Sequence, residues 1–221
     1  MGPARSPEIA RVAETLPVSP DAPGDAVIGR AAASLRGGGV VALPTDTLYG
    51  LCARAEDAGA LEKLYAIKGR RPGKGAPVLI GHLDQLLILT QPLNEELWER
   101  FYLLWPGPLT LILPARENLS PLLAEKGGVA VRFPDQPLCQ TLARTAGPFA
   151  ATSANPPGEP PLADAASIAA RFGGEIDLIL DGGPPAGAPP STVVDARAGA
   201  PLLLREGAVP FDKVLEIWGD A

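Results

Sequence analysis

The chain has 221 residues, 46% of them apolar and 20% charged, with 19 Lys and Arg against 25 Asp and Glu and a formal net charge of −6. That length and composition suit one sizeable globular core and not a disordered chain. The acidic balance opposes a broad nucleic-acid surface, which needs many cationic contacts to phosphates, and no stretch reaches the roughly 18 apolar residues of a membrane helix.

Residues 1–24 are proline-rich and set Arg5 and Arg11 beside Glu8 and Glu14, which reads as a flexible leader and neither a secretory signal nor a transit peptide. From Asp25 to Ala221, helical and extended patterns alternate with short turns, the mark of a single α/β (α+β-like) domain. Asp25 is placed to cap a helix to Arg36, with Val27, Ile28, Ala31 and Leu35 near helical spacing, and Gly37-Gly38-Gly39 ends it. Val40 to Leu43 reads as a buried strand stopped by Pro44. Asp57 to Ile67 is a second helix that leads into the segment Lys68-Gly69-Arg70-Arg71-Pro72-Gly73-Lys74-Gly75, and a strand follows at Pro77 to Ile80.

Asn94 to Trp105 is helical, Leu109 to Leu113 and Val129 to Phe133 are strands, Asp135 to Ala146 is a helix, and Phe149 to Thr152 is a strand. Asp164 to Phe172 is a short helix. Strands near Ile176 to Leu180, Ser191 to Val194 and Pro201 to Leu204 come next, then a closing helix. The Pro/Gly-rich stretches 156–161 and 182–190 are loops within the domain, since core-like strands follow each.

The segment Lys68 to Gly75 concentrates four cationic side chains in an acidic chain, with no apolar residue among them. Its glycines and proline bend it into a loop whose N–H groups and cationic heads can converge on one anion, with polyphosphate the natural guest. It is not a Walker A element, because Gly69 and Gly73 stand too close and Lys74 is followed by Gly75. No G-x-G-x-x-G fingerprint is present either.

His82 is the chain's one histidine, and no serine sits in a G-x-S-x-G elbow, which excludes the common triad chemistry. One His and two distant cysteines, Cys52 and Cys139, do not make a transition-metal site. Both cysteines read as free buried thiols in the reducing cytosol.

Thr45, Asp46 and Thr47 follow a buried strand, where α/β sheets bind ligands, and Ser153-Ala154-Asn155 stands in the same relation to its own strand. Arg132 ends the apolar strand Val129-Ala130-Val131 and must be solvated or paired; its guanidinium suits a carboxylate. Arg205, after three leucines, poses the same question.

Together, Pro44-Thr45-Asp46-Thr47-Leu48-Tyr49-Gly50, Lys68-Gly69-Arg70, Trp105-Pro106-Gly107-Pro108-Leu109-Thr110, Val129 to Arg132, Ser153 to Asn155, Ser191-Thr192-Val193 and Leu204-Arg205-Glu206-Gly207 resemble, in order, the YrdC-like threonylcarbamoyl-AMP synthases. The resemblance covers roughly residues 25 to 210 and is to the short form, without a further C-terminal domain. It implies a twisted mixed sheet flanked by helices, with an open basic cavity. It also implies an enzyme that joins L-threonine, bicarbonate and ATP, with Mg²⁺, into threonylcarbamoyl-AMP and pyrophosphate. A cytoplasmic tRNA-modifying complex would consume the product.

By the same resemblance Lys68 and Arg70 would be catalytic and hold ATP phosphates, with Lys74 in support. Ala151, Ser153, Asn155 and Arg205 would line the nucleotide, and Thr47, Arg132 and Ser191 would hold threonine. His82 falls three residues beyond the place where some relatives carry a histidine and receives no role. Two other readings fit parts of the pattern: a carbamoyltransferase related to hydrogenase maturation, and an RNA-binding module.

Overall fold

The computed structural model describes residues 12–69, 75–185, 187 and 189–219. The leader segment already contains β1 (Glu14–Pro17), so it is part of the fold from its second half onward. Helix α1 (Asp25–Arg36) buries Ile28, Ala31, Ala32 and Leu35; its N-cap is Gly24, so Asp25 does not cap but lies in the first turn, where its charge favours the positive end of the helix dipole.

Strands β2 (Val41–Pro44) and β3 (Tyr49–Arg54) pair antiparallel around the turn 45–48. Nothing in the local pattern of Tyr49 to Arg54 announces β3, because it is almost wholly buried and shows no alternation. Helix α2 (Ala58–Ile67) starts at Asp57, whose carboxylate accepts the Ala60 N–H at 2.9 Å. Strand β4 (Val78–Leu79) and a 3₁₀ helix (Leu83–Ile88) follow, the latter capped by exposed His82, whose Nδ1 accepts the Asp84 N–H. Asn94 caps α3 (Glu95–Leu104) in the same manner as Asp57 caps α2.

Strands β5 (Leu109–Pro114), β6 (Ala124–Glu125) and β7 (Gly128–Arg132) precede α4 (Pro137–Ala146), which begins two residues later than its sequence pattern. The rest is β8 (Phe149–Ser153), α5 (Ala165–Phe172) capped by Asp164, β9 (Leu178–Asp181), β10 (Thr192–Asp195), β11 (Leu202–Arg205) and α6 (Phe211–Gly219).

All these strands join one mixed sheet in the order β1-β9-β2-β3-β8-β4-β7-β5-β10-β11, with β6 beside β7. Helices α1 and α4 cover one face through Leu35, Leu138 and Leu142 against Leu43, Phe149 and Leu180. On the other, Leu61, Leu64, Phe101, Trp105, Ile168 and Trp218 pack on Leu51, Val78, Leu111 and Val131. Apolar cover on both faces makes the central strands continuous apolar runs, leaving the strand ends as the place for polar chemistry.

Cys52 and Cys139 are free and buried in the α1/α4 layer. Among the described residues no helix is long and apolar enough to cross a membrane.

Candidate active site

Strands β2 and β8 finish beside the start of β3, whereas β4, β7 and β11 finish beside the starts of β5 and β10; because β4 runs antiparallel to β8, the two sets of strand termini lie at opposite ends of the ladder. Residues from both sets, far apart in sequence, line one cavity of about 230 Å³. Its wall contains Thr45, Thr47 and Tyr49 from the β2–β3 turn, Leu79 and Arg132 at neighbouring strand ends, Ala151 and Ser153 on β8, and Thr110, Ser191 and Arg205 from the β5–β10–β11 end.

Arg132 is almost completely buried, as expected of a cation ending an apolar strand only if partners meet it. Its Nη2 lies 2.6 Å from Asp46 Oδ2, Nη1 donates to Thr47 Oγ1 at 3.3 Å, and Nε donates to the Gly107 carbonyl at 3.4 Å. Although near, the Asp46 contact is not an aligned hydrogen bond: both Asp46 oxygens and Arg132 Nη2 are buried without one. An unsatisfied buried polar group costs about 1–3 kcal/mol, and more when charged. Thr47 is itself fixed by Thr45, whose Oγ1 stands 3.1 Å from Thr47 Oγ1 and accepts the N–H groups of Thr47 and Leu48 at 3.2 Å each.

At the opposite end, Arg205 donates from Nη2 and Nε to the Ser191 carbonyl at 2.7 and 3.2 Å, and from Nη2 to Ser191 Oγ at 3.2 Å. Thr110 Oγ1 shares a 2.9 Å hydrogen bond with the same Ser191 hydroxyl. Burial, and then the neighbouring positive charge of Arg132, lower the pKa of Arg205 from its ordinary value. Two guanidiniums facing one cavity form a place for an anion.

Lys68 takes a different position from a free phosphate-binding lysine. Its buried ammonium donates to the Ser153 carbonyl at 2.8 Å, to Asn155 Oδ1 at 2.8 Å and to the Asn155 carbonyl. Ser153 Oγ donates to Asn155 Oδ1 at 2.6 Å, and Asn155 Nδ2 donates to the Glu159 carbonyl at 2.6 Å. Lys68 thus ties the end of α2 to the loop after β8. Arg70 and Lys74 lie outside the described residues.

The structure therefore brings Thr47, Arg132, Ser191, Arg205, Ala151 and Ser153 to one cavity wall, with Asn155 and Lys68 joined to it through the Ser153 loop. Sequence reasoning gave no role to Thr110 or Tyr49. The Tyr49 hydroxyl donates to the Gly183 carbonyl at 2.9 Å and accepts the Gly182 N–H at 3.2 Å, anchoring the loop that leads to Ser191. Burial raises the Tyr49 pKa, so the phenol stays protonated at neutral pH. Both residues stand in the quoted motifs; only the strand pairing reveals what each touches.

With this geometry, the match to a family model for Sua5, YciO and YrdC proteins, described as "Telomere recombination" and spanning residues 33–207, has a structural setting: the chain belongs to that family. The threonylcarbamoyl-AMP synthase of Bacillus subtilis is 42% identical over 201 residues, covering 88% of this chain and 57% of the relative. One from Chromohalobacter salexigens is 40% identical over 177 residues, covering 79% of this chain and 95% of the relative. The crystal structure of P. abyssi Sua5 complexed with L-threonine superposes with a TM-score of 0.84 at 34% identity, over 92% of this chain and 60% of that one. The chain thus spans little more than half the length of the Bacillus relative but nearly all of the Chromohalobacter one.

Proposed function

We propose that the cavity is the active site of an L-threonylcarbamoyladenylate synthase, a nucleotidyltransferase acting on L-threonine, bicarbonate and ATP. The buried Arg132 guanidinium at the cavity wall carries this reading, because it offers a carboxylate a charged, water-poor seat beside the hydroxyls of Thr47 and Ser191. The names of the relatives and the threonine held by the P. abyssi protein support the choice of substrate.

In the proposed reaction, Arg132 holds the threonine carboxylate while the substrate amine attacks the carbon of bicarbonate; a C–N bond forms and water leaves. The carbamate oxygen then attacks the α-phosphorus of ATP, and the bond to the pyrophosphate oxygen breaks. Ala151, Ser153, Asn155 and Arg205 are assigned to the nucleotide, and Lys68, Arg70 and Lys74 to its phosphates. The work of this site is positioning and charge neutralisation; no histidine base is required.

Mg²⁺ would enter on the ATP phosphates, since the described residues hold no group of three or more His, Cys, Asp or Glu that could bind a metal. No step is derived through it. The product would pass to a tRNA-modifying complex in the cytoplasm.

The test is pyrophosphate release from ATP and Mg²⁺, with L-threonine and bicarbonate present or omitted. Release that needs both substrates is expected, and release indifferent to either contradicts the proposal.

A further inference from the structure

Asp46 does not line the cavity; it stands behind Arg132, with only 12% of its side chain exposed. Its contact at 2.6 Å is the close one, whereas those of Arg132 with Thr47 at 3.3 Å and Gly107 at 3.4 Å are long. Arg205 meanwhile adds a second positive charge to the same cavity. Two long hydrogen bonds are a poor restraint on a guanidinium that another cation repels.

A buried ion pair whose carboxylate lacks aligned donors is a poor stabiliser, since apolar residues of similar volume fill such a space as well or better. Its value therefore lies in what it does to Arg132. The geometry points to Asp46 as a positioning residue for the amino-acid substrate: its charge fixes the Arg132 guanidinium and offsets Arg205, so the carboxylate meets a cation already in place. Arg132 lines the cavity while Asp46 does not, so the cation held from behind still faces the ligand. This inference rests on the proposed threonine site.

The experiment compares the full chain with Asp46→Asn and Asp46→Glu by calorimetric titration with L-threonine and with ATP, and by steady-state pyrophosphate release. Asp46→Asn keeps the shape and removes the charge. It is expected to weaken L-threonine about tenfold or more in both Kd and KM, as loosened orientation does, with kcat within about threefold and ATP binding within about twofold. Asp46→Glu is expected to recover part of that loss.

Wild-type binding of L-threonine together with equal or tighter binding by Asp46→Asn overturns the inference alone. A wild type that binds no L-threonine overturns the proposed function and the inference together. Should Asp46→Asn fail to fold, the wild type still answers by NMR: a sharp, slowly exchanging Arg132 Nε–H resonance before substrate is added is expected, and a broadened, solvent-averaged one overturns the inference.

Discussion

Arg132 and Lys68 are both buried cations beside the cavity, yet their surroundings predict different losses. Arg132 faces the cavity, so Arg132→Ala is expected to raise the L-threonine KM at least tenfold while ATP binding changes less; removing one partner of a buried charge pair also leaves Asp46 unpaired. Equal losses for both substrates would show that the division of the cavity is wrong. Lys68 instead holds the Ser153–Asn155 loop, and Lys68→Ala removes a charged donor from three oxygen acceptors. A stability loss of about 1–3 kcal/mol on denaturant titration should accompany its loss of turnover. An inactive variant of unchanged stability would contradict the tie to the loop and leave a purely phosphate-binding lysine.

Among the elements, the strand carrying Arg205 is held to the cavity by a contact that leaves no room for a side chain. A Cβ on Gly207 would stand 2.2 Å from the Pro190 carbonyl oxygen and 2.6 Å from the backbone of Ser191 and Thr192. Gly207→Ala should therefore push Ser191 out of place, lower stability by about 1–3 kcal/mol and weaken L-threonine; thermal unfolding and KM check both. Helices α2, α3 and α5 were legible because each announces itself locally: Asp57, Asn94 and Asp164 cap helices predicted from those same residues. Strand β1 carries no such signal. It has a single half-buried residue and exists by pairing in parallel with β9, a partner more than 150 positions away. The site divides the same way: Arg132 stands out as a cation ending an apolar run and Ser191 is picked out by the family motif Ser191-Thr192-Val193, whereas the meeting of Arg132 with Asp46, and of Thr110 with Ser191, depends on strand order.

For the molecule as a whole, two packed faces leave both thiols without water. Burial raises the pKa of Cys52 and, still with burial as the main cause, that of Cys139. An unfolded thiol ionises near 8.5, so above that pH the unfolded chain gains stability that the folded chain does not, and stability should fall as pH rises. Thiol-specific reagents should leave the native protein unlabelled at pH 8 and modify both cysteines once it unfolds; rapid native labelling would contradict this packing. With a net charge of −6, no shift of tRNA is expected in gel titration at physiological salt. The most direct measurement of the central claim follows labelled carbon from bicarbonate in a mixture with ATP, Mg²⁺ and L-threonine. A single species carrying labelled carbon, threonine and AMP in equal amounts is the predicted result, and AMP or pyrophosphate formed without that species would contradict it.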